Sequence, residues 1–103
     1  GVGVNFDPAN LVMARFSKDG ADSVEAVAKY IVHTHAKDGL PRTGAGGLEV
    51  PLGQGKVDFP KWMKALKDNG YHGFLTIERE VGDNPIADCT EAMDFLRRID
   101  ASL

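Results

Sequence analysis

A single cysteine, Cys89, occurs in 103 residues, which excludes an internal disulfide framework and fits a reducing compartment. Its expected place is the buried face of the last helix, where a small apolar thiol is common. Long apolar runs are also missing. No stretch approaches the ~20 residues a membrane helix needs, and no signal-peptide pattern opens the chain. Charge of one sign is scarce too: 12 basic against 15 acidic residues give a net charge of −3, with the signs mixed throughout. That balance leaves no basic stripe for nucleic acid and no polybasic run for a membrane surface. The expectation is one soluble, cytoplasmic domain over residues 1–103, at 43% hydrophobic and 26% charged.

What is present is an alternation of strand-like and helix-like segments. Strands are expected at about 1–7, 31–37 and 73–78, each followed by a helical pattern. In the first, Val2, Val4 and Phe6 share one face, and Gly3, Asn5 and Asp7 the other. Pro8 then suits the first turn of a short helix over 9–15. Lys18-Asp19-Gly20 is a turn, and Asp22 or Ser23 caps a second helix that buries Val24, Val27 and Ala28. In the second strand Ile31, His33, His35 and Lys37 share a face opposite Val32, Thr34 and Ala36. The glycine-rich stretch after Lys37-Asp38-Gly39 reads as a long loop, a length usually reserved for functional lids or disorder. A third helix starts after the N-cap Asp58, with Pro60 in its first turn and an apolar stripe of Phe59, Trp62, Met63 and Leu66; Asn69-Gly70 ends it. In the third strand Leu75 and Ile77 oppose Phe74, Thr76 and Glu78. Asn84 and Pro85 open the last helix, with Ile86, Cys89, Met93 and Leu96 at helical spacing.

Parity singles out three acceptors at strand ends: Asp7, His35 and Glu78. Two carboxylates and an imidazole form a ligand set for a divalent metal. Delivery from successive strand ends in a βαβαβα order points to a (β/α)8 TIM barrel, whose active-site groups sit at the C-terminal ends of its strands. Three units at about 34 residues each would extrapolate to eight units in roughly 270, close to the usual size of that fold. The chain also opens GVGVNFDP rather than with Met, so the expectation is the last three βα units of a larger barrel.

Each residue has a plainer reading. Asp7 suits the N-cap of the Pro8 helix, a role compatible with ligation. A lone strand histidine is more often a satisfied core group, but His35 shares its position with Asp7 and Glu78. His33, one layer deeper, is read as a core or supporting hydrogen-bonding group behind the ligands. Glu78 could pair with Arg79 or Arg42 instead of a metal, and Glu80 is either substrate-facing or solvated. Asn10 follows Asp7 closely enough on the helix to face the same cleft as a substrate contact. Arg42 could bind a phosphate or sugar hydroxyl, although an arginine on a loop is more often solvated. Gly44, Gly46, Gly47, Gly53 and Gly55 could form anion-binding nests, a weak signal because the spacing matches no P-loop or dinucleotide fingerprint. His72 is expected in an exposed turn, and Trp62 and Phe59 in packing.

The segments NFDPANL, HTHAKD, VPLGQGKVDFPKWMKALKDNGYHGFLTIERE and the closing helix together resemble the C-terminal part of sugar phosphate isomerases/epimerases with xylose isomerase-like TIM barrels. The resemblance covers nearly the whole chain. It implies a divalent metal held by Glu, Asp, His and Glu from successive strands, the last three falling on Asp7, His35 and Glu78; the first Glu has no counterpart here. It also implies that Glu78 is one of two acid/base carboxylates, the other being the absent Glu. Lys37 and Asp38 belong to the matched block, and a substrate contact for Lys37 or an orienting role toward His35 follows, against a simple surface pair.

The implied reaction moves a proton next to a carbonyl of a small sugar or sugar phosphate. A divalent ion stabilises the enediolate, and a carboxylate acts as base and then acid. Mn²⁺, Mg²⁺ or Co²⁺ suits the oxygen-rich set, and Zn²⁺ is compatible. The expected partner is the N-terminal barrel half, in the same or a companion chain. Without such cover, two open sheet edges and a bare inner face favour homo-oligomers or a non-catalytic assembly module. An abasic-site endonuclease of the same superfamily would need more ligands and a basic face than three histidines and net charge −3 provide.

Overall fold

The computed structural model describes residues 1–41 and 46–103. Three short parallel strands, β1 (Val4–Phe6), β2 (Ile31–Ala36) and β5 (Thr76–Ile77), form a sheet in the order β1-β2-β5. Val4 pairs with Ile31 and Phe6 with Thr34, with an irregularity between Val4 and Asn5; His35 pairs with Thr76 and Ala36 with Ile77. In parallel pairing these partners point the same way, so the inner face collects Asn5, His33, His35 and Thr76, and the outer face Phe6, Thr34, Ala36 and Ile77.

Helices cover the outer face. α1 (Pro8–Met13) follows β1, and α2 (Val24–Val27) with a 3₁₀ turn (Ala28–Tyr30) leads into β2. α3 (Phe59–Asp68) and α4 (Pro85–Ser102) flank β5 in sequence and pack on each other. Three of the four α-helices among the described residues start on a side chain that accepts an otherwise orphaned backbone N–H: Asp7 from Asn10, Asp58 from Lys61 and Asn84 from Ala87. Ser23 caps α2 by position only, because its hydroxyl turns to Asp22.

The core gathers Phe6, Val12, Val24, Ile31, Ala36, Phe59, Trp62, Met63, Leu66 and Leu96. Trp62 is wholly buried, with its ring edge-on to Phe59 (5.8 Å, 83°) and tilted to Phe6 (6.5 Å). Thr34 is equally buried among these apolar groups, and its hydroxyl donates to the Phe74 carbonyl at 2.9 Å. This hydrogen bond removes the cost of a polar atom in the core and ties β2 to the segment entering β5.

Two sequence expectations need correction. The long stretch after Asp38 is an antiparallel hairpin, β3 (Asp38–Pro41) with β4 (Gly47–Val50), in which Asp38 pairs with Val50 and Leu40 with Leu48. Its glycines masked the strand pattern but are what let it lie flat on α1: a Cβ at Gly47 would run into Met13. The apolar stripe of α4 is also rotated from its expected place. Ala92 and Leu96 are buried, Phe95 and Ile99 half-buried, while Ile86 is 82% exposed and Met93 44%. Cys89 is half-buried rather than interior.

Among the described residues the sheet has free outer edges at β1 and β5, and its inner face is open: His33 is exposed and Phe74 is 85% exposed. No helix among them is long and apolar enough to cross a membrane.

Candidate metal centre

The strand ends converge. One ligand atom each from Asp7, His35 and Glu78 falls within 4.8 Å of the others, the cluster that parity predicts. β1 delivers Asp7 and β2 delivers His35; Glu78 follows β5, with its backbone N–H held by the Ala36 carbonyl at 3.1 Å. Asp7 is the most buried of the three. Its Oδ1 accepts from the Asn10 N–H at 3.1 Å, so the capping and cluster roles coexist on different oxygens. The other oxygen, Oδ2, is shut off from solvent and has no hydrogen-bond partner of good geometry among the described residues. Its cationic neighbour is Lys37 Nζ at 3.2 Å, close enough for Coulombic attraction but misaligned. His35 Nδ1 lies 3.1 Å from Glu78 Oε2. A buried, unsatisfied carboxylate oxygen beside an imidazole and a second carboxylate fits a divalent cation.

Lys37 enters the cluster more deeply than a substrate-contact reading suggests. It is 5% exposed, and its ammonium also lies 3.1 Å from Glu80 Oε1 and 3.5 Å from Glu78 Oε2. Burial disfavours its charge, but the Glu80 hydrogen bond and the fields of Asp7 and Glu78 outweigh this and raise its pKa above the ordinary lysine value. Glu80 is reciprocally held below the usual carboxylate range by the Lys37 hydrogen bond.

The remaining sequence candidates disperse. Asp38 does not orient His35. It is fully buried, and its two oxygens accept the backbone N–H groups of Gly39, Gly53, Gly55 and Val57 at 2.8–3.1 Å. It pins the return of the hairpin, and a carboxylate so occupied has no capacity left for a neighbour. His33 is exposed rather than a core group, with its ring edge-on to that of His35 at 5.1 Å. Asn10 lends its backbone N–H to Asp7, while its residue lines a shallow cleft with Met13, Arg15 and Gly47. Arg42 and Gly44 lie outside the described residues.

Of the two arginines proposed for Glu78, Arg79 does not pair with it, and Arg42 lies outside the described residues. Arg79 turns away, placing Nη1 at 2.9 Å from Glu49 and Nε at 2.8 Å from Asp88. Glu49 and Asp88 carried no sequence signal, because each comes close only when the hairpin and α4 dock.

A family model described as a xylose isomerase-like TIM barrel matches residues 1–99. The L-ribulose-5-phosphate 3-epimerase UlaE of Salmonella paratyphi A is 32% identical over 87 residues, covering 82% of this chain and 30% of that protein. The protein of the same name from Salmonella heidelberg is 33% identical with the same coverage. A xylose isomerase domain protein from Planctomyces limnophilus superposes with a TM-score of 0.85 at 33% identity, over 94% of this chain and 37% of its own. The chain thus spans about a third of the length of the proteins it matches. It belongs to the xylose isomerase-like TIM barrel family, whose members matched here by sequence are sugar-phosphate epimerases.

Proposed function

We propose that the chain supplies the last three βα units of a metal-dependent isomerase or epimerase acting on a sugar phosphate. The carrying observation is the convergence of Asp7, His35 and Glu78 within 4.8 Å, with one buried Asp7 oxygen lacking a hydrogen-bond partner among the described residues. Asp7, His35 and Glu78 would hold the ion, with Mn²⁺, Mg²⁺ or Co²⁺ the best matched and Zn²⁺ compatible. When bound, it would polarise the substrate's carbonyl and so acidify the neighbouring C–H.

The chain's own residues then divide the work. Glu78 has 29% of its side chain open to the inner face, so it can reach a substrate carbon and exchange a proton with it. Asp7, at 6% exposure, is placed to bind rather than to exchange protons with substrate. Lys37 supplies a fixed positive charge 3.5 Å from the Glu78 carboxylate. The open inner face leaves room for a sugar along His33 and Thr76, with Asn10 and Arg42 as further candidate contacts. A second acid/base carboxylate, and cover for the bare face and edges, would come from the N-terminal barrel half; without it, self-association is the alternative. A reducing cytosol suits the lone cysteine.

The test is the metal content of the protein with Asp7→Ala, His35→Ala and Glu78→Ala, alongside epimerisation of L-ribulose 5-phosphate followed by deuterium uptake from solvent. Loss of metal in all three, with loss of uptake for Glu78→Ala, is expected. Unchanged metal content across the series would sink the assignment.

A further inference from the structure

Immediately past Glu78 the chain is held by a part-buried ion triad that the site itself does not use. The Arg79 side chain is 8% exposed and that of Glu49 9%, with Asp88 at 24%. The guanidinium spans Glu49 on β4 and Asp88 on α4, at 2.9 and 2.8 Å. Glu49 also accepts the backbone N–H of Glu80, with Oε2 at 3.1 Å and Oε1 at 3.3 Å. One carboxylate of the hairpin therefore holds both the side chain of Arg79 and the main chain of its successor. Gly82 makes the arrangement possible: its φ is +115°, and a Cβ there would lie 2.9 Å from the guanidinium and 3.0 Å from Asp88.

Glu78 and Glu80 flank Arg79 and project together toward Lys37. Fixing Arg79 on one side and the Glu80 amide on the other therefore fixes the backbone from which both carboxylates are presented. We propose that Arg79 and Glu49 are positioning residues. Together they dock the β3–β4 hairpin onto the end of β5 and hold the Glu78 carboxylate at the geometry the cation needs, whereas Asp88 serves only to anchor α4. The assignment rests on the metal-site reading above. Partners behind metal ligands commonly change affinity by about 10–100-fold when removed.

The experiment compares Glu49→Gln, Arg79→Lys and Asp88→Asn in the protein, after circular dichroism has shown each to be folded. Mn²⁺ affinity is measured by calorimetry, and protection of the Glu80 amide by hydrogen exchange. A lysine cannot reproduce the directed N–H bond that the planar guanidinium makes to Glu49. Arg79→Lys and Glu49→Gln are expected to weaken Mn²⁺ binding about tenfold or more and to speed Glu80 exchange. Asp88→Asn is expected to lower the melting temperature while leaving Mn²⁺ affinity within about twofold. Unchanged affinity in the first two variants overturns the proposal, as does an equal loss in all three. Failure of the site reading looks different: the unsubstituted protein itself takes up no Mn²⁺, and both inferences fall.

Discussion

Lys37 Nζ stands 3.2 Å from Asp7 Oδ2, so the most buried carboxylate of the cluster has a lysine as its resident counter-charge. The same ammonium serves Glu78 and Glu80, which makes it the electrostatic centre of three converging acids. Removing it leaves those acids uncompensated. Lys37→Met is expected to lower stability by about 2 kcal/mol without added metal, less than for a fully buried pair because Glu80 and Glu78 are partly solvated. Mn²⁺ should then recover more stability in the variant than in the parent, because the cluster it enters is more negative. Urea titrations with and without Mn²⁺ measure both effects, and equal metal-induced shifts would count against the shared cluster.

Asp38 gathers four backbone N–H groups, so its substitution breaks a node rather than a contact. Asparagine keeps one acceptor oxygen but turns an NH₂ toward donors. Asp38→Asn is expected to cost about 3–4 kcal/mol. Gly55→Ala attacks the same node from the other side, since a Cβ would collide with the Asp38 carboxylate and the Gly39 carbonyl. Both variants should lower the urea midpoint with little change in slope; an unaltered midpoint for either would remove Asp38 from its structural role.

Trp62 fills the space between α3 and the sheet, and its Nε1 is buried without a hydrogen-bond partner among the described residues. Trp62→Ala is expected to cost about 3–5 kcal/mol through the cavity it leaves. Trp62→Phe should cost only about 1–2 kcal/mol, because it loses volume but also discards an unsatisfied donor. Thermal unfolding of the two variants gives the comparison. Similar losses in both would mean that the indole N–H is satisfied in solution.

Asp19 and Lys61 join the α1–α2 connection to the start of α3, and each shifts the other. The Lys61 hydrogen bond lowers the Asp19 pKa from 3.8, and the Asp19 hydrogen bond raises that of Lys61 from 10.5. A lowered carboxylate contributes stability above its unfolded pKa and loses it as pH falls through the folded value. A raised lysine contributes below its unfolded pKa and loses it as pH rises through the folded one. The stability gap between parent and Lys61→Met should therefore be a plateau between these limits, closing in acid and in alkali. Salt should shrink it, as the pair is solvent-exposed. A pH-independent gap would assign the effect to the lysine stem rather than its charge.

Strand parity and helix caps are legible in the order of residues alone. Asp7, His35 and Glu78 share a face because residue period two is a property of any strand, and Asp7, Asp58 and Asn84 cap helices through local hydrogen bonds. The hairpin was not legible. Its glycines are depleted in ordinary strands and are tolerated here because α1, through Met13, leaves no space for side chains. Asp38 was misplaced for a related reason. A carboxylate close to His35 in sequence suggests chemistry, but its four partners come from residues as far as nineteen positions along the chain, and only folding brings them to it.

The sequence by itself determined the βα alternation, the capped helices and the shared face of the three strand-end acceptors, all of which follow from short-range geometry. Only the tertiary structure decided where the charges of Lys37, Glu49, Arg79 and Asp88 go. Long charged side chains take the partners that packing brings within about 4 Å, and those partners lie on elements whose docking no local pattern encodes.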